Sequence, residues 1–182
     1  MNGLITGSFE RFILIAGPSL AGKTYVGDRL AAVAHSSSRS SFSAGLRMLA
    51  REALTIEQLQ DAGQYYAMNN WQALWSATVE IANPRSGSNL IIDGIRHRHI
   101  IENLRSLGLR VTVLTLIPTR ATLEARAGLR IGDSRNREHI IEAGYDDIGY
   151  ISDVTLRGSL AIVSDFYALC SLLGLDVRRN LS

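Results

Sequence analysis

Short apolar runs alternate along the chain with longer stretches whose apolar residues recur at helical spacing. The runs are rich in β-branched and aromatic residues, which is typical of strands buried on both faces of a sheet. They and the turn signals around them predict strands over residues 12–16, 40–43, 89–94, 109–117 and 153–156. The stretches between predict helices over residues 23–34, 44–53, 55–59, 65–81, 96–107, 121–127, 138–143 and 160–173. Thr55 and Gln58 have the spacing of a capping box at the start of the third helix.

Strands that alternate with helices favour an α/β fold in which one five-stranded parallel sheet carries helices on both faces. No internal repeat and no linker divides the 182 residues. We therefore expect one domain over residues 1–182, with its core at about 11–182, built as a three-layer sandwich. Trp71 and Trp75 fall on the apolar stripe of their predicted helix, so we interpret both as core residues.

The turn after the first predicted strand fits the pattern G-x-x-x-x-G-K-[ST] at every fixed position, from Gly17 to Thr24. Its two glycines allow a sharp turn and a close approach to a ligand, so that the amides of residues 19–24 can point inward. Lys23 would contact the β- and γ-phosphates of a nucleoside triphosphate, and the hydroxyl of Thr24 would bind Mg2+. The predicted nucleotide-binding residues here are Gly17, Ser19, Leu20, Ala21, Gly22, Lys23 and Thr24.

Asp93 ends the apolar strand over residues 89–94 and is followed by Gly94. The carboxyl ends of parallel strands meet at one edge of the sheet, where ligands bind in open α/β folds. We therefore expect Asp93 beside the phosphate-binding turn, where it would hold Mg2+ together with Thr24 or accept a proton from an attacking hydroxyl. A second interpretation is that Asp93 only caps the next helix, because Asp is a favoured N-cap residue.

Arginines are frequent over residues 120–138, after the fourth predicted strand. A run of charge is often a solvated helix face. In a fold with a phosphate-binding turn, however, an arginine-rich helical segment at this position is suited to close over transferring phosphates. We interpret residues 120–138 as a lid of this kind.

Composition limits the partners of the chain. Its apolar runs are far shorter than the roughly twenty residues of a membrane span. A net charge of +2 and a pI near 8.9 are too mild to require nucleic acid. Cys170 is the only cysteine, so an internal disulfide and a cysteine-based zinc site are excluded and a reducing compartment is favoured. We expect a soluble, cytoplasmic protein with no membrane partner and no obligatory nucleic acid, as a monomer or a homodimer.

The phosphate-binding turn, the segment from Asp93 to Arg96 and the arginine-rich stretch together resemble P-loop kinases of the nucleoside monophosphate kinase group. Residues 90–96 are similar to the strand of adenylate-kinase-like enzymes that ends in Asp-Gly with a nearby Arg. Residues 41–47 and 59–63 are similar to the substrate region of deoxynucleoside monophosphate kinases and of dephospho-CoA kinase relatives. The resemblance covers nearly the whole chain from Arg11, and its specific part is the phosphate-binding turn.

This resemblance implies a P-loop NTPase fold and a kinase that uses ATP and Mg2+ to phosphorylate a (deoxy)nucleoside monophosphate. It implies that Arg47 and Arg96 bind the phosphate of the acceptor, and that Gln60 contacts its base or sugar. Residues 44–83 would form a helical acceptor-binding insertion. The lid over ATP would contain Arg126 and Arg130, since one guanidinium group can donate two hydrogen bonds to the oxygens of a phosphate. The implied catalytic residues are Lys23, Asp93, Arg126 and Arg130.

The sequence departs from these relatives at residues 43–45, where they commonly have an acidic residue or a proline after the Phe. The acceptor is therefore open between a nucleoside monophosphate and a non-nucleotide such as dephospho-CoA or a secondary metabolite. A GTPase would need an Asn-Lys-x-Asp motif and a transporter ATPase a Leu-Ser-Gly-Gly motif, and both are absent. The remaining alternative is a regulatory protein that binds ATP without transferring phosphate.

Overall fold

The computed structural model describes residues 9–51, 54–82, 88–129, 146–158 and 165–178. Its strands are β1 (Phe9–Ala16), β2 (Ser37–Ser41), β3 (Ser88–Ile95), β4 (Val111–Ile117) and β5 (Val154–Arg157). Its helices are α1 (Lys23–Val33), α2 (Phe42–Ala50), α3 (Ile56–Asn69), α4 (Trp71–Ile81), α5 (Arg98–Ser106), α6 (Arg120–Leu129), α7 (Asp146–Gly149) and α8 (Phe166–Leu172). Among these helices, none is long and apolar enough to cross a membrane. The predicted helix over residues 138–143 lies outside the described residues.

The five strands form one parallel sheet in the order β2-β3-β1-β4-β5. β1 lies at the centre and pairs with both β3 and β4. Because the strands are parallel, the turns that follow β1 and β3 leave the sheet at the same edge, and Ile15 is aligned with Asp93. The predicted α/β fold with a five-stranded parallel sheet is thereby confirmed.

Side chains of the central strand alternate between two cores on opposite faces of the sheet. Phe12 and Leu14 belong to the core beneath α2, α3, α4 and α5, whereas Ile13 and Ile15 belong to the core beneath α1 and α8. All four side chains are buried, which explains why the strand is continuously apolar in sequence. Helices cover both faces, so the architecture has three layers.

The predicted core role of the tryptophans is confirmed. Trp75 of α4 has no exposed surface and packs against Phe12, with ring centroids 5.0 Å apart. Trp71 is partly buried against the same core. The aromatic contact joins α4 to the centre of the sheet, which fixes the position of the helices between β2 and β3.

Two predicted boundaries in this helical region were wrong, because capping side chains start α2 and α4 at other residues than predicted. The second strand covers Ser37–Ser41 rather than residues 40–43, since the Ser41 hydroxyl accepts a hydrogen bond from the Ala44 amide and starts α2 at Phe42. α3 continues past Gly63 to Asn69, and Asn70 caps the separate helix α4 through the Ala73 amide. The predicted capping box of Thr55 and Gln58 is confirmed at the start of α3.

The start of the last predicted helix was also wrong. α8 begins at Phe166, because Asp165 is its N-cap residue. The backbone of Asp165 is not helical, and its side chain accepts a hydrogen bond of 2.9 Å from the Ala168 amide. The predicted cap of this helix, Ser159, lies outside the described residues. β5 begins at Val154 and not at Asp153, whose carboxylate accepts a hydrogen bond from the Val113 amide of β4.

Candidate active site

The turn between β1 and α1 is a tight loop that only glycine can form at its ends. Gly17 and Gly22 have φ angles of 141° and 91°, which favour glycine. A Cβ at Gly17 would lie 2.6 Å from the carbonyl oxygen of Leu116 in β4. No side chain caps the first turn of α1, so its first amides remain available to a ligand. Backbone donors and the positive end of the helix therefore suit this loop to an anion.

Lys23, the first residue of α1, lies against the loop. Its ammonium donates hydrogen bonds to the carbonyl oxygens of Gly17 at 2.9 Å and Pro18 at 2.7 Å. Burial, and secondarily the positive charge of Arg96, lower the pKa of Lys23 from 10.5 to about 8, while the carboxylate of Asp93 opposes the shift. A polyphosphate would supply the negative charge that this poorly solvated ammonium lacks.

Thr24 and Asp93 meet beside Lys23. The Thr24 hydroxyl donates a hydrogen bond of 3.0 Å to Oδ2 of Asp93, whose side chain is 7% exposed. Asp93 does not cap the next helix, because α5 begins after His97 and has no side-chain cap. Hydroxyl and carboxylate oxygens are ligands that Mg2+ prefers in proteins, so Thr24 and Asp93 fit the predicted metal site.

Arg39 of β2 adds a contact that the sequence did not predict. Its Nη2 donates to Oδ2 of Asp93 at 2.7 Å, and its Nη1 donates to Oδ1 of Asp28 at the same distance. One guanidinium therefore joins the carboxylate of β3 to a carboxylate of α1. Arg39 stands in a serine cluster, which favours a turn and not a strand with a role in a site. The only sign of this contact in the sequence is that Arg39 is the single charged residue of the cluster.

The helix after β4 carries Arg126 to the glycine loop between β1 and α1. Its Nη1 donates a hydrogen bond of 2.6 Å to the carbonyl oxygen of Leu20. Leu20 has a positive φ of 64°, so its carbonyl belongs to the turned part of the loop. This places a guanidinium at the loop, where the lid was predicted. Arg130 lies outside the described residues.

The three predicted acceptor-binding residues are placed differently from one another. Arg96 comes directly after β3. It lies near enough to the loop for its positive charge to lower the pKa of Lys23. Arg47 is exposed on α2 and Gln60 is half-buried on α3, and in the described ranges no hydrogen bond or ion pair joins either of them to the loop. Neither Arg47 nor Arg96 pairs with an acidic side chain of the described residues.

No family model and no curated protein matches the sequence. Among solved structures, the tunicamycin resistance protein of Deinococcus radiodurans matches with a TM-score of 0.63 and 16% identity, over 93% of this chain and 99% of that one. A gluconokinase from Sinorhizobium meliloti 1021 matches with a TM-score of 0.52 and 15% identity, over 92% of both chains. A shikimate kinase from Aquifex aeolicus matches with a TM-score of 0.52 and 14% identity, over 90% of this chain and 96% of that one. The chain therefore has the α/β fold of P-loop kinases.

Proposed function

We propose that the chain is a kinase that transfers the γ-phosphoryl group of ATP to a small phosphorylated acceptor, with a (deoxy)nucleoside monophosphate as the first candidate. The observation that carries the proposal is the hydrogen bond between Thr24 and Asp93 beside the ammonium of Lys23. At this point of the sheet edge, the glycine loop, the cation of Lys23 and a pair of oxygens suited to a metal lie together. The fold shared with a gluconokinase and a shikimate kinase supports phosphoryl transfer.

The residues at the loop have complementary roles in such a reaction. The loop amides and Lys23 would bind the β- and γ-phosphates, and Arg126 would move from the Leu20 carbonyl to the phosphoryl oxygens. Mg2+, held by Thr24 and Asp93 when bound, would neutralise charge between the two phosphates. These positive groups stabilise charge that spreads over the phosphoryl oxygens in the transition state. Arg130 would join Arg126 in the lid.

The state of Asp93 favours an acceptor that is already ionised. A hydroxyl acceptor benefits from a base that removes its proton, whereas a phosphate oxygen is ionised at neutral pH. Both Thr24 and Arg39 donate to Oδ2 of Asp93, so this carboxylate is already engaged as an acceptor of hydrogen bonds. Arg47 and Arg96 have no acidic partner among the described residues, and their guanidinium groups suit a phosphate.

A hydroxyl acceptor is the second candidate. The fold neighbours named gluconokinase and shikimate kinase favour it, since their names give acceptors that are not nucleotides. In that case Asp93 would accept the proton of the attacking hydroxyl through its second carboxylate oxygen. The non-nucleotide acceptors suggested by the sequence, such as dephospho-CoA, belong to this candidate.

The two candidates are separated by a panel of acceptors assayed with ATP and Mg2+. The panel contains (deoxy)nucleoside monophosphates, the matching unphosphorylated nucleosides, gluconate, shikimate and dephospho-CoA, and the readouts are ADP release and the mass of the product. We expect ADP release only with monophosphates and a product that is a diphosphate. Turnover of a hydroxyl acceptor would support the second candidate. Binding of ATP without turnover on any acceptor would indicate a regulatory ATP-binding protein.

A variant without the loop cation controls for contaminating kinases. Lys23→Ala should bind ATP weakly and lose turnover by on the order of a hundredfold or more, because it removes a charge aimed at the transferring group. If Lys23→Ala phosphorylated the same acceptor at the wild-type rate, the activity would not belong to this site.

A further inference from the structure

We propose that Arg39 is a positioning residue for Asp93, because its guanidinium fixes one carboxylate oxygen and offsets part of the carboxylate charge. The metal would then be bound in the correct place and released readily. This inference rests on the proposed phosphotransferase function. It assigns a role in the site to Arg39 of β2, a residue that the sequence linked to no ligand.

The contacts of Arg39 are those of a fixed bridge. Arg39 is aligned with Ile91 of β3, two positions before Asp93, so its side chain reaches the carboxylate at the end of the neighbouring strand. The two ion pairs, each 2.7 Å long, end on Asp93 and on Asp28 of α1. A planar guanidinium can donate to two carboxylates at once in a defined geometry, which a lysine ammonium does poorly.

The space around Arg39 also restricts its movement. A Cβ at Gly27 of α1 would lie 2.8 Å from Nε and 3.5 Å from Cδ of Arg39, so the side chain passes directly over this glycine. The Nε atom is buried and has no hydrogen-bond partner among the residues that the structure describes. An unsatisfied buried donor is unfavourable, and the two ion pairs offset this cost. The guanidinium is therefore held between α1 and the sheet.

These contacts determine which atoms of the site remain available. Thr24 and Arg39 both donate to Oδ2 of Asp93, and in the described part of the chain no hydrogen bond or ion pair ends on Oδ1. Since the hydroxyl proton of Thr24 is donated to Asp93, the lone pairs of that hydroxyl are free for a cation. Arg39 thus orients the carboxylate so that one oxygen of Asp93 is left for the metal.

Removal of Arg39 would have two effects of opposite sign. The buried carboxylate of Asp93 would lose its counter-charge, so its attraction for a divalent cation would increase. The same carboxylate would lose a fixed hydrogen bond and could rotate, so the metal would be bound in a less productive position. A residue that only stabilised the fold would not raise metal affinity while turnover fell.

The test measures Mn2+ binding by electron paramagnetic resonance with a non-hydrolysable ATP analogue, alongside turnover. For Arg39→Met we expect Mn2+ affinity to rise at least about threefold, as expected when a nearby positive charge is removed. We expect its turnover to fall by about tenfold or more, as for a small misplacement of reacting groups. Arg39→Lys keeps the charge, so its Mn2+ affinity should stay near the wild-type value while its turnover falls.

The matched controls separate the bridge from general effects of arginine loss. Arg110→Met removes an exposed arginine that directly precedes β4, at the edge of the sheet opposite to the site, and neither readout should change. Gly27→Ala displaces Arg39 without removing a charge, so turnover should fall even if Arg39→Met does not fold. Thermal unfolding of each variant, without nucleotide, reports whether the fold is intact.

The outcomes are distinct for the inference and for the proposed function. If Arg39→Met and Gly27→Ala both match the wild type in Mn2+ binding and turnover, Arg39 has no role in the site. If Mn2+ affinity, turnover and thermal stability of folded Arg39→Met fall together, its role is structural, which also overturns the inference. If the wild type binds neither Mn2+ nor the ATP analogue, the proposed function fails.

Discussion

Thr24 and Asp93 are 69 positions apart in the sequence, yet a hydrogen bond of 3.0 Å joins them at the carboxyl edge of the sheet. The parallel pairing of β1 with β3 aligns Ile15 with Asp93, and the glycine loop then returns the chain so that Thr24 lies in the first turn of α1. The contact depends on the strand order, because it needs β3 to be a direct neighbour of β1.

Substitution of Thr24 tests whether this pair binds the metal. Thr24→Val keeps the shape of the side chain but removes the hydroxyl, so we expect it to lose the part of ATP affinity that depends on Mg2+. A tenfold loss corresponds to about 1.4 kcal/mol of binding free energy. Calorimetric titration with ATP in Mg2+ and in EDTA measures it, and Thr24→Ser, which keeps the hydroxyl, is the control. Equal Mg2+ dependence in Thr24→Val and the wild type would contradict the metal assignment.

The lowered pKa of Lys23 makes ATP binding sensitive to alkaline pH. In the free protein this pKa is about 8, and bound phosphates raise it because they favour the charged ammonium. The attraction is therefore complete below about pH 8 and is lost as the pH rises toward the higher pKa of the complex. We expect the Kd of ATP to increase between about pH 7.5 and about pH 9.5, a range in which the phosphates do not titrate.

Two variants of Lys23 give the comparison for the pH series. Lys23→Arg stays charged throughout this range, so its affinity should change little with pH. Lys23→Met should bind ATP weakly at every pH. A wild-type Kd as independent of pH as that of Lys23→Arg would show that Lys23 does not titrate in this window.

The sequence predicted those parts of the site that depend on local patterns. The loop from Gly17 to Thr24 follows a fixed motif, and Asp93 follows a clear apolar strand, so the sequence alone predicts both at one sheet edge. The order of the strands then decides that they touch. Trp75 was assigned to the core for a similar reason, since helical spacing reports directly which side chains are buried.

Contacts between distant elements could not be predicted in this way. Arg39 belongs to a polar edge strand without hydrophobic alternation, and its partners Asp28 and Asp93 come from two other elements. The break at Asn70 was missed because helical spacing continues across it, although its side chain caps α4. Such features follow from tertiary packing and from single side-chain hydrogen bonds, which periodicity does not encode.

Arg126 is predicted to act in the transition state more than in ATP binding. In the structure its guanidinium donates to the Leu20 carbonyl, so it is already at the loop but can exchange this neutral acceptor for a phosphate. We expect Arg126→Ala to lower kcat by on the order of a thousandfold, as for other arginines that stabilise transferring phosphoryl groups, with a smaller change in the KM for ATP. Steady-state kinetics measure both, with Arg110→Ala, an exposed arginine at the opposite edge of the sheet, as the control. A change confined to KM would assign Arg126 to nucleotide binding only.

Two helical glycines should respond in opposite directions to the same substitution. A Cβ at Gly45 of α2 would contact Thr78 of α4, at 3.1 Å from its backbone nitrogen and against its Oγ1, which donates a hydrogen bond to Leu74. Gly45→Ala should therefore destabilise the protein by about 1–3 kcal/mol through overpacking. A Cβ at Gly63 of α3 would meet only Leu46 Cδ1 at an ordinary 3.5 Å. Gly63→Ala should stabilise by about 0.5–1 kcal/mol, because alanine favours the helix.

Chemical denaturation of the two variants measures these changes in the free energy of unfolding. Shifts of the same sign would contradict the packing of α2 against α4. The comparison also bears on function, because Arg47 lies two positions after Gly45 and would be displaced with α2. If Arg47 binds the acceptor, Gly45→Ala should raise the KM for the acceptor and leave the KM for ATP unchanged, whereas Gly63→Ala should change neither. A raised KM for ATP alone would place the disturbance at the glycine loop between β1 and α1 and would argue against an acceptor site on α2.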